Sequence, residues 1–264
     1  MIDYDKVRSL PAMFGEIAAA RGDRPFLWSK QAGRYQPMSW SQTARTVNRL
    51  ARGLVALGVQ PGDRVALAAE NRPEWAIADL AIMSAGAITV PAYTTNTVDD
   101  HRHIFGNSGA RLVIASKPPV SDRAIAAAAQ VPSVQAIIVM DGAAPEGAHT
   151  WDAALARGDD QPDDIARRIA ALGPDDIACI IHTSGTGGLP KGVIATQRNI
   201  IANCRGAYHL LEMLGLGDEV FLNFLPLSHS YEHTAGLMFP ISIGAQIYFA
   251  EGADSLAANL VEVR

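Results

Sequence analysis

The densest chemistry in the sequence lies in His182-Thr183-Ser184-Gly185-Thr186-Gly187-Gly188-Leu189-Pro190-Lys191-Gly192-Val193, where four glycines, three hydroxyls and one lysine sit between two apolar runs. Glycine lets a backbone approach a ligand closely and adopt positive φ. Successive N–H groups in such a loop form a concavity that binds anions. The hydroxyls add donors and Lys191 a point charge, and Lys191 is one of only four lysines beside 18 arginines. This composition describes a phosphate cradle made of Thr183, Ser184, Gly185, Thr186, Gly187, Gly188 and Lys191. Neither common phosphate fingerprint fits. GxxxxGK[ST] fails because Pro190 and Gly192 flank the lysine, and GxGxxG fails because Pro190 stands where its last glycine belongs. A polar hairpin loop with no ligand is the bland alternative.

A second cluster follows the apolar run Phe224–Leu227. His229 lies just past a strand-like segment, where α/β sheets bind ligands beyond the carboxyl ends of their strands. His229-Ser230-Tyr231-Glu232-His233 also matches H-x-x-E-H, an inverted zinc-hydrolase pattern in which the two histidines would share a helix face with Glu232 as base. A third ligand would have to come from Glu251, Asp254 or Glu262.

The elements that must carry these residues alternate. Strand patterns at 64–69, 87–91, 111–115 and 136–140 are separated by helical patterns at 74–85, 97–106 and 122–130. Thr97 with Asp100 resembles a capping box. After residue 175 the alternation resumes: strands at 177–183 and 191–196, a helix at 199–213, a strand at 220–224, a helix around 230–241 and a strand at 245–249. Short apolar strands with helices between them predict a parallel sheet covered on both faces. The expected organisation is two mostly parallel α/β units, 1–175 and 176–264, with the Ala/Gly/Asp/Pro-rich stretch 141–175 as a linker excursion and the second unit truncated.

Composition closes off other classes. The chain has 264 residues, 48% hydrophobic residues and a net charge of −5, with a mean hydropathy of +0.08. It is too apolar for global disorder and lacks the basic surface that nucleic acid requires. The longest apolar stretch, 80–93, is too short to span a bilayer. Cys179 and Cys204 form no metal or disulfide pattern and read as buried, reduced thiols. The N-terminus has no charged-then-apolar leader, so a cytoplasmic location is expected. Peripheral membrane contact and homodimerisation stay open.

Residues 183–193 resemble the phosphate-loop signature of the adenylate-forming superfamily, [Tyr/Phe]-Thr-Ser-Gly-Thr-Thr-Gly-x-Pro-Lys-Gly-Val. His182 replaces the aromatic, and Gly187 the second threonine. Gly62–Ala66, Asn71, Glu74-Trp75 and Gly86–Pro91 are similar to that family's N-terminal unit. Phe224-Leu225-Pro226-Leu227-Ser228-His229-Ser230-Tyr231-Glu232-His233 is similar to the segment after the loop, closest to long-chain fatty-acid–CoA ligases. The resemblance implies the N-terminal part of the acyl-CoA synthetase fold. It also implies a reaction in which a carboxylate attacks the α-phosphate of ATP, and CoA thiol then displaces AMP. ATP, Mg²⁺, CoA and a fatty acid or other carboxylic acid are the implied partners. Lys191 and His229 are the implied catalytic residues, with His229 and Glu232 beside the acyl chain and adenylate. No resident protein metal is implied. A fatty acid is already ionised at pH 7, so adenylation needs alignment and charge neutralisation rather than a base.

The family also uses a Tyr-Gly-x-Thr-Glu segment, a Thr-Gly-Asp segment, a hinge and a lysine on a C-terminal lid, and none of these occurs in 1–264. The expectation is an N-terminal fragment that is inactive alone. Another carboxylate-adenylating enzyme, a zinc hydrolase and a non-catalytic nucleotide-binding chain are the alternatives.

Overall fold

The computed structural model describes residues 2–183 and 189–263. The expected alternation forms a seven-stranded sheet and a four-stranded sheet, with helices on both faces of the larger. In chain order the elements are α1 (Leu10–Arg21), β1 (Pro25–Gln31), β2 (Arg34–Ser39), α2 (Trp40–Ala56), β3 (Arg64–Ala68), α3 (Pro73–Ser84), β4 (Ile88–Ala92), α4 (Val98–Ser108), β5 (Ala110–Ala115), α5 (Val120–Ala128), β6 (Ala136–Val139), β7 (His149–Thr150), α6 (Trp151–Asp159), α7 (Ile165–Ala171), β8 (Ile177–Thr183), β9 (Lys191–Thr196), α8 (Gln197–Leu211), β10 (Val220–Asn223), α9 (Ser230–Glu232), α10 (Phe239–Ile243), β11 (Gln246–Phe249) and α11 (Leu256–Glu262).

The large sheet runs β7-β6-β5-β3-β4-β8-β9. All its pairings are parallel except β8–β9, an antiparallel hairpin at the edge. The small sheet runs β10-β11-β1-β2. Sheet membership therefore crosses residue 175 in both directions: β8 and β9 extend the first sheet, while β1 and β2 join β10 and β11. A strand's face pattern tells which side it buries but not which distant strand it pairs with, so this interleaving has no sequence signal.

The helix starts follow local chemistry. Thr97 and Asp100 make the expected capping box on α4. Ser39 with Gln42 and Thr196 with Asn199 make two more, on α2 and α8. One face of the large sheet packs α3, every residue of which from Trp75 to Ser84 is buried. Its opposite face packs α4 and α5 through Ile104, Phe105, Ala124 and Ala127.

The stretch 141–175, expected as a linker, holds β7, α6 and α7. Its small residues have a packing purpose. A Cβ on Gly158 would lie 1.9 Å from the Arg49 carbonyl oxygen, and one on Gly53 would lie 2.1 Å from that of Ala154. Thus α2 and α6 cross backbone to backbone, and the Ala/Gly composition that looked like a spacer is the crossing itself. Gly158→Ala should separate the two helices and cost about 1–3 kcal/mol, as overpacking does, read as a lower urea midpoint.

His101 on α4 is fully buried and stacked on Phe105, with ring centroids 5.4 Å apart. Neither ring nitrogen has a hydrogen-bond partner among the described residues. Burial, helped by Arg123, lowers its pKa from 6.5 to about 4. Below pH 6.5 the unfolded chain takes up a proton that the folded chain refuses until about pH 4. The stability that neutral His101 permits is complete above pH 6.5 and is lost towards pH 4, by about 3 kcal/mol in all. Melting temperature should fall through this window, and His101→Phe should flatten that fall.

Candidate active site

Strand β8 delivers Thr183 to one side of the glycine-rich loop, and β9 begins with Lys191 on the other. Thr183 and Lys191 are paired across the hairpin. The Lys191 side chain is exposed. Ser184, Gly185, Thr186, Gly187 and Gly188, the rest of the expected cradle, lie outside the described residues. His182, at the aromatic position of the signature, is buried, and its Nε2 donates to Asn107 Oδ1 at 3.1 Å. Burial and the neighbouring His103 lower its pKa. Gly192 gives it room: a Cβ there would stand 2.8 Å from Ile180 Cγ2 and 3.2 Å from His182 Nε2.

The segment after β10 is tied to the large sheet by Asn71, just past β3. Its Nδ2 donates to the Leu225 carbonyl at 2.6 Å and also to Asn223 Oδ1. Its Oδ1 accepts the Leu227 N–H at 3.0 Å. One carboxamide thus fixes the turn that leads to His229. The His229 ring is exposed and caps α9, its Nδ1 accepting the Tyr231 N–H at 3.2 Å. From here the helical segment expected around 230–241 forms, but it runs through a π-helical stretch at His233–Met238 before α10.

Glu232 and His233 turn inward. Glu232 Oε1 accepts the Phe224 N–H at 3.2 Å, and burial raises its pKa. Gly236 is required beside it, since a Cβ there would lie 2.6 Å from Glu232 Cδ. His233 Nε2 meets Asp79 Oδ2 of α3 at 2.8 Å, with both side chains out of solvent. Desolvation opposes its charge, but Asp79 outweighs it and raises the imidazole's pKa. Trp75 packs edge-on against the His233 ring.

These positions overturn the zinc-hydrolase reading of His229-x-x-Glu232-His233. His229 faces solvent as a cap, Glu232 is spent on a backbone amide, and His233 is locked to Asp79. Among the described residues, no group of three His, Cys, Asp or Glu is arranged to hold a metal.

A cavity of about 450 Å³ opens between the hairpin, α8 and the 230–235 segment. Ile181, Ala195 and Ile200 supply apolar wall, and Asn199, Asn203 and Tyr231 supply polar groups. Neither His229 nor Glu232 lines it. Asn71, Asp79 and the cavity wall were missed by sequence reasoning. Only the Asn71 segment had a signal, as part of the resemblance at 62–91.

Comparison with known proteins supplies the family. Residues 14–263 match the model of the family described as AMP-binding enzyme. The long-chain-fatty-acid–CoA ligase FadD15 of Mycobacterium tuberculosis is 34% identical over 197 residues, covering 75% of this chain and 32% of that protein. The long-chain-fatty-acid–CoA ligase ACSBG2 of Xenopus laevis is 29% identical over 277 residues, covering 100% of this chain and 38% of its own. Among solved structures, a benzoate CoA ligase from Burkholderia xenovorans superposes with a TM-score of 0.79 at 26% identity, over 97% of this chain and 48% of that one. The chain belongs to the AMP-binding enzyme family, the adenylate-forming ligases. It spans 32% and 38% of the length of these two curated relatives. No helix among the described residues is long and apolar enough to cross a membrane.

The site separates scaffold from chemistry. Asn71→Ala strips partners from the Leu225 carbonyl and the Leu227 amide and should cost about 1–3 kcal/mol in urea unfolding. Lys191→Ala, at an exposed position, should leave the urea midpoint within the roughly 0.5 kcal/mol expected of a surface change.

Proposed function

We propose that the chain carries the phosphate-binding half of an ATP-dependent fatty-acid–CoA ligase. The observation that carries this reading is the juxtaposition of the hairpin bearing Thr183 and Lys191 with an apolar-walled cavity floored by the same two strands. A ligand whose carboxylate lies at the loop can extend its chain along Ile181 and Ile200. The names of the FadD15 and ACSBG2 relatives support a long-chain acid as substrate.

In this reading the acid's carboxylate oxygen attacks the α-phosphorus of ATP and pyrophosphate departs. The thiol of CoA then attacks the acyl carbon and AMP departs. The residues here contribute alignment and charge. Lys191 offsets phosphate charge, and the backbone of 184–188 supplies donors, in keeping with phosphoryl chemistry that depends on positioning. Mg²⁺ would enter with ATP, held mainly by phosphate oxygens. His229 is held by its Tyr231 cap with one ring nitrogen remaining, and it orients the carboxylate.

Calorimetric titration tests the reading. The chain should bind Mg·ATP, and Lys191→Ala should weaken that binding about tenfold, the loss of one charge-assisted contact. Saturated acids of increasing length should bind more tightly until the cavity is filled. A wild-type chain with no affinity for ATP would defeat the proposal, as would equal affinity for acetate and a long-chain acid for its substrate class.

A further inference from the structure

The phosphate loop joins β8 to β9, the antiparallel hairpin at the edge of the large sheet. Between β4 and β8 the register aligns one residue pair, Thr89 with Cys179. Beyond Cys179, β8 pairs only with β9, and β9 is the sheet edge. Ile181 is buried in the main core and Ile180 packs on the second apolar cluster, so β8 is seated by side chains while β9 forms the open edge. Phosphate alignment gains from side-chain attachment points near the loop.

Helix α4 supplies one on each side of the loop. His103 Nε2 lies 2.8 Å from the Pro190 carbonyl oxygen, directly before Lys191. Asn107 Oδ1 lies 3.1 Å from His182 Nε2, directly before Thr183. Carbonyl and carboxamide oxygens only accept, so both histidines carry their proton on Nε2. His103 and Asn107 are four residues apart and share a face of α4. The two imidazoles meet edge to face, with centroids 6.2 Å apart. His182, a departure from the aromatic of the family signature, keeps a flat ring there and adds a donor that a phenylalanine would lack. The other ring nitrogen of His182 is buried without a partner among the described residues, so Asn107 supplies the hydrogen bond that orients the ring.

We propose that His103 and Asn107 are positioning residues for the phosphate loop: from one helix face they hold its entry at His182 and its exit at Pro190. This role rests on the nucleotide reading given above. His103 and Asn107 act through the hairpin and need not touch the phosphates.

Two measurements on the intact chain separate this role from that reading. The first needs no nucleotide: amide hydrogen exchange at Lys191 and Gly192, with amides of β3 and β5 as reference. His103→Ala and Asn107→Ala should each speed hairpin exchange about fivefold, the equivalent of one lost hydrogen bond, and leave the reference strands unchanged. His103→Gln, which retains an N–H donor, should restore much of the protection. The second is Mg·ATP affinity, which should fall by about the same factor in both alanine variants and recover in His103→Gln.

Unchanged hairpin exchange would overturn the clamp. So would acceleration shared equally by β3 and β5, which would make His103 and Asn107 general stability residues. ATP affinity that stays at the wild-type value while exchange rises would also overturn it as a positioning device. A wild-type chain that fails to bind ATP would instead strike the proposed function, and the exchange result would still judge whether α4 holds the hairpin.

Discussion

The carboxamide of Asn71 joins the two sheets at the place where the chemistry converges. It stands just past the carboxyl end of β3 in the large sheet and bonds the chain leaving β10 in the small one, through Asn223, Leu225 and Leu227. The turn's backbone groups are partly open to water, with Phe224 and Leu225 exposed, so each such bond adds about 0.5–1.5 kcal/mol. Asn71 pairs two of them at once, so the turn to His229 has one stable placement. The rest of the site takes its frame from that placement. His229 caps α9, Glu232 reaches back to the Phe224 amide, and His233 meets Asp79 on α3.

The Asp79–His233 contact adds a second tie between the same two parts, of a different kind. Buried ion pairs often gain little over an apolar pair of equal volume, yet losing one partner leaves a charge stranded. Such a contact tolerates few alternatives, and it fixes the π-helical stretch against α3. Together the two ties make the wall of the 450 Å³ cavity from a sequence segment more than 140 residues away from α3. The opposite wall, the β8–β9 hairpin at the sheet edge, meets α4 through His103 at Pro190 and Asn107 at His182. Local anchoring of this kind suits a phosphate site. Charge stabilisation there depends on donors already in place, while the glycines remove side chains that would block approach.

Much of the site was legible in residue types. Hydroxyls, glycines and a scarce lysine between two strand-like runs are what the proposed phosphate cradle rests on, and the hairpin has the bounds that the apolar pattern implied, 177–183 and 191–196. The pentapeptide at 229–233 misled because helical spacing says which residues share a face but not which face is buried. His233 and Glu232 went to the interior, where Asp79 and the Phe224 amide awaited them, and His229 went to solvent. Alanine and glycine in 141–175 likewise carry no sign of whether they serve flexibility or close packing; the α2–α6 crossing decides for packing.

The sequence by itself determined the elements from β3 to β6 and from β8 to β11 and the cap at Thr97, because these depend on periodicity and on side-chain-to-backbone bonds only a few residues apart. Thr97 with Asp100 and Thr196 with Asn199 were decided within a single turn of chain. Only the tertiary structure decided that β1 and β2 belong with β10 and β11, that Asn71 holds the turn before His229, and that α4 braces the hairpin. Those choices rest on contacts between residues 70 to more than 200 positions apart. Their energies come from shape, burial and hydrogen-bond completion, which exist only once the chain has closed on itself.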